Sequence, residues 1–194
     1  MKTMRTAAAA VSVALVTLLA ACGGGDEEPE PRASVPAGFD LPAGVEITPG
    51  GTQLTEDEPA TVVYQVGDGA ASAVTVTVSA VRRGAIEDFR FFSLDEAALQ
   101  STPFYVDLTV VNEGPAGLGG VALPIFARDD KNVLLPPNEV VGQFAPCPNG
   151  TLPESFLPDS EATLCLVYLV AAGNALVSVD LQPGSSADAI RWSP

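Results

Sequence analysis

Residues 74–80 read Val-Thr-Val-Thr-Val-Ser-Ala, and the reading of this stretch decides the fold. Successive side chains of a strand point to opposite faces, so Val74, Val76, Val78 and Ala80 line one face and Thr75, Thr77 and Ser79 the other. That is the pattern of a half-buried strand. The same period recurs on both sides of it. Thr61–Val66 is a short strand before the Gly67-Asp68-Gly69 turn, and Phe104, Val106, Leu108 and Val110 alternate with Tyr105, Asp107 and Thr109 up to the breaker cluster Asn112-Glu113-Gly114-Pro115. Phe126–Leu135 reads as two short strands around a turn at Asp129-Asp130-Lys131-Asn132. Residues 162–170 are apolar on both faces, as in a central strand. Val177, Val179 and Leu181 alternate again, and Ile190-Arg191-Trp192 closes an edge. The only helical pattern is a turn at residues 94–99. About seven short strands with turn signals between them predict an all-β sandwich.

Length and composition agree with this. The chain has 194 residues with Gly 18, Pro 17 and 47% hydrophobic residues, which is one turn-rich domain with appendages. Its net charge of −15 leaves no basic surface to neutralise phosphates and excludes nucleic acid as a partner. It contains no His, so the commonest general base and metal ligand is missing.

Residues 1–21 are expected to be a lipoprotein signal peptide. Lys2 and Arg5 precede an apolar run, Ala7–Ala21, that is shorter than a membrane span and ends in small residues. The run stops at Leu19-Ala20-Ala21-Cys22, which resembles the lipobox of bacterial lipoproteins. That resemblance implies cleavage before Cys22 and a covalent diacylglycerol lipid on its sulfur, with palmitate among the chains. No other cofactor is expected. Removal of the leader takes Lys2 and Arg5 with it, so the net charge moves from −15 to −17 and the acidity belongs to the exported part. Residues 22–50 read as an acidic, Pro/Gly-rich tether that spans about 30 Å as a coil. The sandwich domain is assigned to residues 51–194.

Lipidation of Cys22 accounts for the odd cysteine of three. Cys147 and Cys165 then form a disulfide in an oxidising compartment. The bridge would pin a long irregular segment to the strand that holds Cys165, and closing such a loop is worth about 3 kcal/mol in the chain-entropy model. No Cys-x-x-Cys spacing or third thiol points to redox or metal chemistry.

Taken together, these segments resemble a family of actinobacterial lipoproteins with an immunoglobulin-like, telokin-like domain, a sandwich shared with an immunoprotective extracellular antigen. The residues that carry the resemblance are Val74–Val78, Pro103–Asn112, Cys147-Pro148, Leu152-Pro153, Cys165-Leu166-Val167-Tyr168 and Ile190-Arg191-Trp192. Relatives often have Pro-Gly-Glu before the second Cys strand, where this chain has Pro158-Asp159-Ser160-Glu161. The resemblance implies an immunoglobulin-like β-sandwich and export, and supplies no catalytic residues. An abundance of Arg over Lys fits an actinobacterial, high-GC source.

Enzyme motifs are missing: no Gly-x-Ser-x-Gly elbow, phosphate loop or His-Glu-x-x-His occurs. The carboxylate groups Glu87-Asp88, Asp95-Glu96, Asp129-Asp130 and Glu56-Asp57-Glu58 fall at turns or linker positions, where solvated surface is the ordinary role. Asp129, Asp130 and Asn132 are weak candidates for a calcium loop but lack the spacing of an EF-hand. The aromatics Phe89, Phe91, Phe92, Tyr64, Tyr105, Phe126 and Trp192 read as core, and the loops 114–120 and 147–165 as recognition surfaces. The expected function is a lipid-anchored protein on the extracytoplasmic face of the bacterial cell membrane. Its domain would mediate contact with a protein or cell-wall partner without catalysis. The alternative is an accessory lipoprotein that binds a small molecule or cation for a membrane complex.

Overall fold

The computed structural model describes residues 35–66 and 70–194. The signal segment, Cys22 and the Gly67-Asp68-Gly69 turn lie outside the described residues. Among the described residues nine strands form two sheets. One is five-stranded, built from β1 (Gln53–Thr55), β5 (Ile125–Asp129), β6 (Leu134–Leu135), β8 (Leu176–Leu181) and β9 (Ile190–Ser193), in the order β1-β9-β8-β5-β6. The other has the order β2-β3-β4-β7, from β2 (Pro59–Val66), β3 (Ala70–Arg83), β4 (Thr102–Pro115) and β7 (Glu161–Val170). The chain crosses between sheets from β1 to β2, β4 to β5, β6 to β7 and β7 to β8, the Greek-key connectivity of an immunoglobulin-like sandwich. All pairings are antiparallel except β1 with β9. The excess over seven strands comes from β1 and β6, which have three and two residues.

The alternation seen in the sequence builds the interior. Val74, Val76 and Val78 of β3, Val106, Leu108 and Val110 of β4, and Leu164, Leu166 and Tyr168 of β7 face Ile125, Val179, Leu181 and Trp192 of the other sheet. Two polar atoms tie the sheets across this core: the Tyr168 hydroxyl donates to the Ile125 carbonyl at 2.9 Å, and the Trp192 indole N–H to the Glu58 carbonyl at 2.8 Å. Burial pushes the Tyr168 phenol up, so it stays a neutral donor.

Five expectations change. Val177 does not share the face of Val179 and Leu181, because the β5–β8 register shifts past it, leaving Leu176 buried and Val177 exposed. β9 does not close its sheet, since β1 pairs beyond it. Ala80 was assigned to the face of Val78, but the register slips between Val78 and Ala80. The bulge turns Ala80 outward with Arg82 and gives the inner face to Val81, which packs on the core. β4 does not stop at Asn112 but runs on to Pro115, through a cis Gly114-Pro115 bond. Asn112 is wholly buried and fully used: its Oδ1 accepts from Ser72 Oγ and Gly114 N, and its Nδ2 donates to the Ala116 and Phe156 carbonyls. β7 is an edge strand rather than a central one. It is apolar on both faces because other segments cover its outer face.

The outer face of the five-stranded sheet buries a charge. Asp180 of β8 is fully covered, with Arg128 Nη2 at 2.6 Å and Arg191 Nε at 3.3 Å from its Oδ2, and Ser178 Oγ at 2.6 Å from its Oδ1. The two guanidiniums replace the water that a lone carboxylate would require. At the other end of the domain Thr48 pairs with Thr61 on β2, N–H to carbonyl at 2.8 Å, so the segment before residue 51 already runs along the sandwich.

The core makes a direct prediction. Leu108→Ala should lower the unfolding free energy by about 3 kcal/mol, the cost of a cavity at a collapsed site. Leu99→Ala, at a residue 56% exposed, should change it by less than about 0.5 kcal/mol. Urea unfolding of the two variants measures the contrast.

Candidate functional site

At one end of the outer face of β4 and β7, Tyr105, Cys165, Val167 and Leu169 form an apolar patch beside Asp107. Two irregular segments cover them. The first is residues 84–101, which hold a 3-10 turn at Ile86–Phe89 and the short helix α1 (Glu96–Leu99), capped by Asp95 Oδ1 accepting from Ala98 N at 2.8 Å. The second is residues 136–149, which end at the disulfide. Phe89, Phe92 and Tyr105 surround Phe144 with ring centroids 4.6, 5.6 and 5.7 Å from it. This is a second small core outside the sandwich, and Cys147 and Cys165 belong to it.

The disulfide is formed as expected, with Cα atoms 5.2 Å apart. It fastens the covering loop to β7. Polar contacts hold the rest: Arg82 donates through Nη2 to the Pro146 carbonyl at 3.2 Å and pairs with Asp107 through Nε. The Asp107 carboxylate hydrogen bond holds the guanidinium above its ordinary value. Tyr105 donates to Asp88 Oδ2 at 2.8 Å, and burial with that hydrogen bond pushes its phenol up. Gly84 lies against the Tyr105 ring, where a Cβ would stand 2.5 Å from it.

The same loop dresses the free edge of β7. Cys165 N donates to the Asn149 carbonyl at 2.7 Å, Asn138 N donates to the Val167 carbonyl at 2.7 Å, and Leu169 N donates to Asn138 Oδ1 at 3.0 Å. Between this edge, the loop and residues 122–126 and 151–154 opens a groove of 1190 Å³. Leu123, Val140, Val141, Leu152 and Leu164 are among its lining, with Glu139 and Glu154 as its charged residues. Val141 is 89% exposed.

The sequence-derived candidates fall in different places. Cys22 lies outside the described residues. Asp129, Asp130 and Asn132 do come together at the β5–β6 turn, but their oxygens are turned toward donors. Asp129 accepts from Lys131 N, Val133 N and Asn174 Nδ2 at 3.0, 2.7 and 2.6 Å; Asp130 pairs with Lys131; Asn132 Oδ1 accepts from Arg128. The turn organises the hairpin, and among the described residues no cluster of three acidic or thiol side chains is placed to hold a metal. The loop 114–120, read as a recognition surface, is packed down: Leu118 N and Gly120 N donate to the Phe156 and Pro153 carbonyls, and a Cβ on Gly119 would fall on the Glu154 backbone. Of the aromatics, Phe89, Tyr105 and Trp192 are buried, whereas Phe91 is 83% exposed beneath the Arg90 guanidinium at 4.6 Å. The groove itself was missed. Its sequence signal is the run Pro136-Pro137 with Pro148 and Pro153, which keeps the lining extended, but nothing in those prolines says where they lie.

Two outcomes follow. Cys147→Ser with Cys165→Ser should lower stability by about 3 kcal/mol and open residues 136–149 to limited proteolysis, read as early cleavage in that segment while the sandwich persists. For Asp129, the backbone N–H of Val133 is the main cause holding the carboxyl below its ordinary 3.8. Its stabilising effect is therefore present above pH 3.8 and lost as pH falls through the lowered value. Asp129→Asn should melt below the wild type at pH 7, with the gap closing below pH 3.8; a thermal melt series across that range measures it.

Comparison of the chain with protein-family models, with curated proteins and with solved structures returns no match.

Proposed function

We propose that this chain is a lipid-anchored protein of the extracytoplasmic face of a bacterial membrane, whose immunoglobulin-like domain binds a protein or cell-envelope partner without catalysis. The observation that carries the reading is the partition of the cysteines. Cys147 and Cys165 are joined, a state that belongs to an oxidising compartment, and Cys22 is left at the end of the apolar leader, in the lipobox-like Leu-Ala-Ala-Cys. The resemblance to actinobacterial lipoproteins supports the same address. A −17 mature charge suits a solvated domain held at an anionic bilayer by acyl chains, since two chains bind far more stably than one.

A second reading is favoured by the groove, whose 1190 Å³ is ample for a small molecule. In it the protein is an accessory lipoprotein that carries such a ligand for a membrane complex.

Cell fractionation separates the anchor from its absence. Cys22→Ala should move the protein from the membrane to the medium, and unchanged membrane retention overturns the anchor. Affinity purification of the lipidated chain from membranes should bring down one protein in stoichiometric amount. A native mass spectrum carrying a bound small molecule instead supports the second reading.

A further inference from the structure

We propose that the groove beside β7 takes an extended peptide segment of a partner protein, apolar at alternate positions and carrying Lys or Arg, paired with the short stretch of strand edge that Asn138 and Asn149 leave open. This rests on the interaction role proposed above and gives it a site and a partner chemistry.

The edge itself is the first argument. In a strand the N–H and C=O of one residue point the same way. Cys165 N and the Val167 carbonyl point outward to Asn149 and Asn138, so the Cys165 carbonyl and Val167 N–H point outward as well. No hydrogen bond among the described residues engages these two groups, and both residues line the groove. A carbonyl at one position and an N–H two residues on is the pair that a single residue of an added parallel strand satisfies with its own N–H and C=O. An aliphatic ligand leaves both unpaired, at the cost of a desolvated polar group. Main-chain pairing supplies affinity in such complexes and side-chain pockets supply selectivity.

Charge is the second argument. Glu139 and Glu154 line the groove, and none of its lining residues is Lys or Arg. In a chain of net charge −15 the local field attracts a cationic segment and repels an acidic one. The walls ask for apolar side chains: Leu123, Leu152 and Leu164 at the floor, and Val140 and the protruding Val141 at the rim.

The test uses the full chain purified from membranes in detergent, with a phage-displayed library of random 12-residue peptides as the probe. Enriched peptides are then synthesised and titrated against the wild type, a Glu139→Lys/Glu154→Lys variant, Val141→Asp, and Phe91→Ala as an exposed control away from the groove. Thermal melts confirm that each variant is folded. The expected result is enrichment of apolar, Lys- or Arg-bearing sequences whose affinity falls about tenfold or more in the double variant and in Val141→Asp, and is unchanged in Phe91→Ala. Enrichment of acidic peptides, no enrichment, or binding indifferent to the groove substitutions overturns the proposal. If the membrane partner still co-purifies with the double variant, the interaction role stands and the groove assignment falls.

Discussion

The four-stranded sheet is apolar on its inner face and again at the β4–β7 end of its outer face, and that constraint governs the organisation outside the sandwich. Its inner face is satisfied by the opposing sheet, as any sandwich requires. Its outer face presents Tyr105, Cys165 and Val167 there, all buried, and among the described residues no third sheet covers them. Residues 84–101 and 136–149 take that place, closing over Phe144 as a common centre. Because the covering segments have no strand ladder of their own, they rely on the Cys147–Cys165 bond, on Arg82 and on the two asparagines at the β7 edge. The groove is a consequence: a loop that is tied at its end and at Asn138, but is irregular between them, leaves open space beside the strand.

Electrostatics follow from the scarcity of cations. Four of the six Lys and Arg among the described residues sit in ion pairs, so the excess of carboxylate is left to the solvent. The pairs differ in kind. Lys131 with Asp130 is an exposed contact and contributes little. Arg128 and Arg191 around Asp180 hold a buried charge, where removal of one partner strands the other. Arg82 does two things at once, neutralising Asp107 and lying 5.4 Å from the Tyr105 ring, which joins the sheet to its cover.

Much of the sandwich was legible because period-two alternation is a local property. The strands around Val76, Leu108 and Val179 and the hairpin at Asp129–Asn132 are where the pattern puts them. The failures have particular causes. A bulge at Ser79 inserts one residue and inverts the faces after it, which moves Ala80 outward without any change in composition. The doubly apolar run at residues 162–170 was read as central because periodicity reports that both faces are buried, not by what. Asp180 alternates with Val179 and Leu181 as a solvated residue would; only the cross-strand register, which sets it opposite Arg191 and beside Arg128, makes it buried. The carboxyl and amide groups of Asp129 and Asn132 have the composition of a cation loop, but the backbone N–H groups of Lys131 and Val133 and the side chains of Asn174 and Arg128 take their oxygens.

The amino-acid sequence by itself determined the acidic balance, the all-β class and most strand positions, because each of these is written in composition or in neighbours a few residues apart. Tertiary structure alone decided that β7 is an edge, that two loops form an outer core upon it, and that a groove with two unengaged backbone groups and two carboxylates lies beside it. Those features depend on contacts between residues far apart in the chain, such as Tyr105 with Phe144 and Asn138 with Val167. Segments such as residues 136–149 carry no periodicity that could announce their place, so their position is set only when the sheet they must cover has formed.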